Sequence, residues 1–107
     1  MTAPAIQSSG AENASASINP ATGEPIARWV YADAALIERS IEAAARAATA
    51  WRLVSPQRRS DLLRACAAGL RARRDELART ITLEMGKPIT EAEAEVEKSA
   101  WNCDYVA

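Results

Sequence analysis

Histidine and phenylalanine are both missing from this chain, and glycine (4) and cysteine (2) are scarce. Without histidine there is no imidazole to act as a base near neutral pH. Ser/His/Asp and Cys/His nucleophile sets are therefore excluded, together with most zinc sites. Cys66 and Cys103 lack the spacing of metal-binding thiols. Each falls on an apolar helical stripe and is expected to pack in the core as a small hydrophobe. No G-x-G-x-x-G occurs, and Gly86-Lys87-Pro88 has neither the upstream glycine nor the Ser/Thr of a phosphate loop. No apolar run approaches the roughly 20 residues of a membrane-spanning helix. The amino end carries neither a basic start with an apolar run nor an arginine-rich leader, so the chain reads as soluble and cytoplasmic, with no membrane partner.

Alanine and charge fill the space that these residues leave. Hydrophobic residues make up 49% of the chain, but much of that is alanine. Alanine lets helices approach closely while burying little area, and at about 25 cal/mol per Å² such a core is weak for its residue count. A chain of 107 residues holds one domain at most, and independent stability is not expected of it. Residues 1–17 carry one large aliphatic side chain, Ile6, besides Met1. That is too little burial to offset ordering, so a disordered tail is expected there.

The net charge of −1 conceals a segregation. Residues 56–79 carry seven Arg against three acids, and residues 84–104 carry six acids against two Lys. An arginine run can mark a nucleic-acid surface. Here acids are interleaved and no aromatic lies among the arginines, which favours a solvated helix face partly paired with the acidic helix after it. No nucleic-acid partner is expected.

Three punctuated segments follow the tail. Asn19-Pro-Ala-Thr-Gly23 is a turn signal, since Pro20 presets φ and Gly23 can take the left-handed conformation. With the alternating Ile26–Tyr31 it predicts a β-hairpin over about 17–31. Asp33 is a plausible N-cap, and Ile37, Ile41, Ala44, Ala48 and Trp51 recur at helical spacing, predicting a helix over about 34–52. Ser55-Pro56 opens a second helix, over about 56–85, striped by Leu63, Cys66, Leu70, Leu77 and Ile81. Gly86 and Pro88 end it. Thr90-Glu-Ala-Glu93 reads as a capping box for a third, over about 90–106, with Ala92, Val96, Ala100 and Cys103 on one face.

Taken together, Asn19-Pro-Ala-Thr-Gly-Glu24, the Ala-Ala-Arg-Ala-Ala helix ending at Trp51, the Arg-rich helix and Leu83-Glu-Met-Gly-Lys-Pro-Ile89 resemble the amino-terminal segment of the aldehyde dehydrogenases. The Lys98-Ser-Ala…Cys103-Asp ending points more narrowly to the bacterial succinate-semialdehyde dehydrogenases. The resemblance covers roughly residues 17–107. It implies a mainly α fragment with a short N-terminal β-hairpin, the amino-terminal part of an α/β fold whose Rossmann-like core is missing. The parent would oxidise an aldehyde to its acid with NAD or NADP, as a homodimer or homotetramer. In that family a cysteine thiolate attacks the aldehyde and hydride passes to the nicotinamide. The cysteine lies in a downstream Gly-Gln-x-Cys context absent here, so no catalytic or cofactor-binding residue carries over. This chain alone is expected to be inert, to bind no cofactor, and to have the remainder of the parent as its partner.

Two weaker roles follow from the resemblance. Some relatives hold a structural monovalent cation through a main-chain oxygen beside the Asn-Pro turn and an acid before Gly-Lys-Pro. The matching positions are Ile18 and Glu84, and the plain alternative is a hairpin packed near a solvated glutamate. In some relatives the helix matching Glu95–Tyr105 borders the substrate entrance, which would bring Lys98 and Trp101 toward an anionic aldehyde. The plain alternative there is a surface lysine and a packing tryptophan. A rival from another class is a small helical protein-interaction module.

Overall fold

The computed structural model describes residues 13–107. Within them the order is β1 (Ala14–Ile18), β2 (Pro25–Val30), α1 (Ala34–Trp51), α2 (Pro56–Ala72), α3 (Arg74–Met85) and α4 (Ile89–Val106). This is the expected mainly α chain with an N-terminal hairpin. Residues 1–12 of the expected tail lie outside the described part.

The hairpin is antiparallel, pairing Ala14 with Val30 and Ile18 with Pro25, with a bulge between Ser17 and Ile18. The turn closes where the sequence indicates: the Gly23 N–H donates to the Asn19 carbonyl at 2.8 Å, and Gly23 takes φ 74. The first strand begins earlier than expected, inside the tract read as tail. The Tyr31 N–H donates to the Asn13 carbonyl at 2.9 Å, extending the ladder past the hydrophobic signal. Ladder bonds are main-chain bonds, so Ala-Ser-Ala-Ser serves as well as an apolar strand.

α1 starts on Asp33, whose carboxylate accepts from the Leu36 N–H at 2.6 Å. α2 starts on Ser55, whose hydroxyl accepts from the Arg58 N–H at 3.2 Å, with Pro56 in the first turn. Gly86 caps α3 in the left-handed conformation at φ 70. Two boundaries depart from expectation. The single helix expected over about 56–85 is two, broken at Arg73 (φ −108, ψ 17). A straight helix of that length would run about 45 Å, whereas α4 spans 18 residues, about 27 Å. The break lets both α2 and α3 pack along α4. The second departure is at α4, which starts on Pro88 without a side-chain cap. The Pro88 carbonyl accepts from the N–H groups of Glu91 and Ala92, each at 3.0 Å, so Thr90 lies inside the helix rather than capping it.

The core is small. Among the described residues the buried ones are Ala67, Ala78, Ala92, Val96 and Ala100. Ala78, Ala92 and Val96 form its centre, with Leu70, Leu77 and Ile81 packed against them. α1 has no buried residue at all, and its stripe leaves Ile41 64% exposed. An amphipathic helix draws most of its stability from the face it buries, and this one is left largely exposed.

Candidate functional site

Two places merit attention as sites, the junction of the hairpin with α3 and the groove beside α4. At the junction the Ser17 hydroxyl donates to Glu84 Oε1 at 2.9 Å. Just beyond, Pro20 rests over Gly86, its Cγ only 3.0 Å from where a Gly86 side chain would begin. Ion pairing of Lys87 with Glu95 ties the α3–α4 connection to α4. Ile18 follows Ser17 directly, across an irregularity in the strand register. No sequence signal marks Ser17 or the Pro20–Gly86 contact, because both arise from how the hairpin lies on α3. Among the described residues no group of three or more His, Cys, Asp or Glu side chains gathers to hold a metal ion.

The groove has a volume of about 440 Å³ and is lined on one side by Leu77, Thr80 and Ile81 and on the other by Glu95, Lys98 and Asn102. Lys98 is therefore on it. Trp101 is not among its lining residues: it stacks on Tyr105 with ring centroids 5.4 Å apart.

Electrostatics bind the helices where the charge segregation indicates. Arg71 on α2 donates from Nε to Glu97 at 2.9 Å and from Nη1 to Asp104 at 2.8 Å, both on α4. Those hydrogen bonds, Asp104's first and then Glu97's, raise the Arg71 guanidinium above its usual pKa. Arg73 pairs with Glu76, Arg74 with Asp75 and Arg64 with Asp61. Arg59 lies 5.5 Å from the Trp51 ring and donates to the Trp51 carbonyl at 2.9 Å. The cysteines depart from the core role expected of them. Cys66 is exposed and Cys103 half-buried, the buried position on α2 being Ala67. Leu63 and Leu70 stay half-buried on the stripe, and between them α2 buries Ala67 and leaves the Cys66 thiol outside. Burial, then a hydrogen bond with Cys66, pushes the Cys103 thiol above its ordinary pKa, and the nearby Asp104 charge adds to the shift.

The sheet of the described residues is one antiparallel hairpin, and the turn from β2 into α1 contains no glycine to bring backbone against a pyrophosphate. No helix among them is long and apolar enough to cross a membrane.

The aldehyde dehydrogenase family model matches residues 6–107, and the chain belongs to that family. It is 47% identical over 91 residues to the NAD(P)+ succinate semialdehyde dehydrogenase Sad of Escherichia coli K12, a match covering 85% of this chain and 20% of that protein. It is 45% identical over 75 residues to betaine aldehyde dehydrogenase of Rhizobium etli (70% of this chain, 15% of that protein). Glutarate-semialdehyde dehydrogenase of Pseudomonas aeruginosa is 42% identical over 82 residues (77% and 17%). The chain thus spans about a fifth or less of the length of these relatives.

Proposed function

We propose that this chain is the front segment of an NAD(P)+-dependent aldehyde dehydrogenase that oxidises succinate semialdehyde to its acid, and that alone it is a scaffold piece without activity. The observation that carries this reading is the family match from residue 6 to residue 107, set against relatives several times longer. The substrate follows Sad, whose match extends over more of the chain than those of the betaine and glutarate-semialdehyde enzymes. NAD or NADP would accept the hydride in the full-length parent. This chain supplies no residue to that step. Its partner is the remainder of the parent, a cytoplasmic homodimer or homotetramer, without nucleic acid or membrane. The exposed stripe of α1 is the face that such a remainder would cover. Incubated with succinate semialdehyde and either NAD+ or NADP+, the purified chain is expected to give no absorbance rise from reduced cofactor. An aldehyde-dependent rise that survives repurification would overturn the reading.

The carbonyl of Ile18 and the carboxylate of Glu84 form, in this proposal, part of a structural monovalent-cation site, supported by the Ser17 hydroxyl that holds Glu84 beside the bulge. All-oxygen donors suit a hard cation. In the full-length enzyme, potassium or sodium is expected to raise the thermal midpoint more than equal choline chloride does, and Glu84→Gln to cancel the difference. Identical midpoints in the three salts would sink the site. Lys98 and Trp101 we assign to the substrate entrance, with the Lys98 ammonium on the groove drawing the distal carboxylate. In the full-length enzyme Lys98→Met should raise KM for succinate semialdehyde and leave KM for an uncharged aldehyde in place. Equal changes for both would reduce Lys98 to a surface residue.

The helical-module reading rests on α1's uncovered stripe. A cooperative thermal transition of the monomer would favour it, because a severed segment with five small buried residues should lose helix gradually.

A further inference from the structure

α2 and α4 run antiparallel in close contact, and several independent contacts fix their register. Arg71 reaches Glu97 and Asp104, while Arg64, earlier on α2, donates to the carbonyl of Ala107 at 3.4 Å. Between these ties Ala67 and Ala100 are fully buried, so the two backbones meet through methyl groups and approach closely. Cys66 precedes Ala67 toward the start of α2, and Cys103 follows Ala100 toward the end of α4. The same register therefore sets the two cysteines on facing turns of α2 and α4, close enough for Cys66 to help raise the Cys103 pKa. Both are free thiols, Cys66 the more exposed.

We propose that Cys66 and Cys103 are an oxidisable pair that closes to an intrachain disulfide, stapling α2 to α4 when a small-molecule disulfide is the prevailing oxidant. The exposed Cys66 thiolate attacks one sulfur of the oxidant, the oxidant's S–S bond breaks, and one small thiolate leaves. Cys103 then gives its proton to water and attacks Cys66 Sγ, expelling the second small thiolate. Two protein thiols are oxidised to one disulfide, and one small disulfide is reduced to two thiols. The roles differ by environment. Cys66 is open to the oxidant, whereas the shielded Cys103 thiol stays protonated until the mixed disulfide forms beside it. A disulfide asks for Cα atoms within about 7 Å, and the two helices carry their buried contact residues Ala67 and Ala100 one and three positions from the two cysteines. The linkage would constrain the long segment between the two positions, α3 included, and so resist unfolding.

The test uses the reduced chain, oxidised glutathione and a maleimide quench, read by intact mass and by tryptic peptides. The expected product has lost two hydrogens, carries neither glutathione nor maleimide, and yields Ala65–Arg71 linked to Ser99–Ala107. Closure in native buffer should be at least about tenfold more favourable than in concentrated urea, because the fold and not chance collision brings the thiols together. On heating, the linked chain should keep its helix signal to higher temperature than the reduced one, and dithiothreitol should reverse the gain. Cys66→Ser and Cys103→Ser should each stop at a glutathione adduct or a free thiol. Cys66→Ala and Cys103→Ala serve where serine disturbs the helix contact. Accumulation of glutathionylated Cys66 in the unsubstituted chain would overturn the proposal. So would linkage only between chains, or equal closure with and without urea.

Discussion

Val96→Asp is expected to remove most of the helical circular-dichroism signal of α2, α3 and α4. Val96 is 4% exposed and clusters with Ala78 and Ala92 under Leu70, Leu77 and Ile81. None of these neighbours offers a hydrogen-bond donor to a carboxylate from its side chain. An aspartate there either stays ionised without a partner or takes up a proton and buries an unsatisfied acid, and either course costs about 3 kcal/mol or more. So small a core has little to set against that loss. Val96→Thr is the control, since its shape is close and its hydroxyl can donate to the carbonyl four residues back along α4. The threonine variant should retain most of the helix signal. An aspartate variant whose spectrum and melt match the unsubstituted chain would show that α4 does not pack as described.

That core explains how much of the fold was legible and where reading stopped. Turns and caps are local chemistry: Gly23, Asp33, Ser55 and Gly86 do what their residue types indicate because a side chain or a positive φ acts within three residues of itself. The α4 face of Ala92, Val96 and Ala100 was legible through its period, and it is the buried face. The break at Arg73 was not, because no Pro or Gly marks it. It follows from two helices sharing one shorter partner. Cys66 was misplaced for a related reason. A stripe of small and medium residues on α2 fixes the buried face only to within a residue, and the choice of Ala67 belongs to the contact with α4. The candidate site was legible as positions, Ile18, Glu84, Lys98 and Trp101, but not as geometry. Ser17, which reaches Glu84, has no distinguishing pattern around it. Arg71 is the exception, since the opposed charges of residues 56–79 and 84–104 anticipated a tie between those helices.

Gly86→Ala should cost this chain more than any other single methyl group added to it. Two penalties coincide at that residue. Its φ of 70 lies in the left-handed region, where an alanine pays about 1–2 kcal/mol, and a Cβ there would meet Pro20 Cγ at 3.0 Å. Pro20 is a ring on a tight turn and cannot swing aside as a flexible side chain would, so the hairpin must lift from the end of α3. Gly23 supplies the comparison, with φ 74 and nothing within 4 Å of its Cβ position. Gly23→Ala therefore measures the backbone penalty alone, and Gly86→Ala the penalty plus the collision. Trimming the proline separates them directly. Pro20 Cβ lies 3.8 Å from the built Cβ, ordinary contact, so Pro20→Ala removes the clash and leaves the turn. In a double-mutant cycle, Gly86→Ala should be milder by about 1 kcal/mol in the Pro20→Ala background. Exchange of the Gly23 and Glu24 amides should speed up in Gly86→Ala and slow again in the double variant. Additive effects would mean that the hairpin does not rest on Gly86, and with that contact the Ser17–Glu84 junction and the cation site built on it would lose their support.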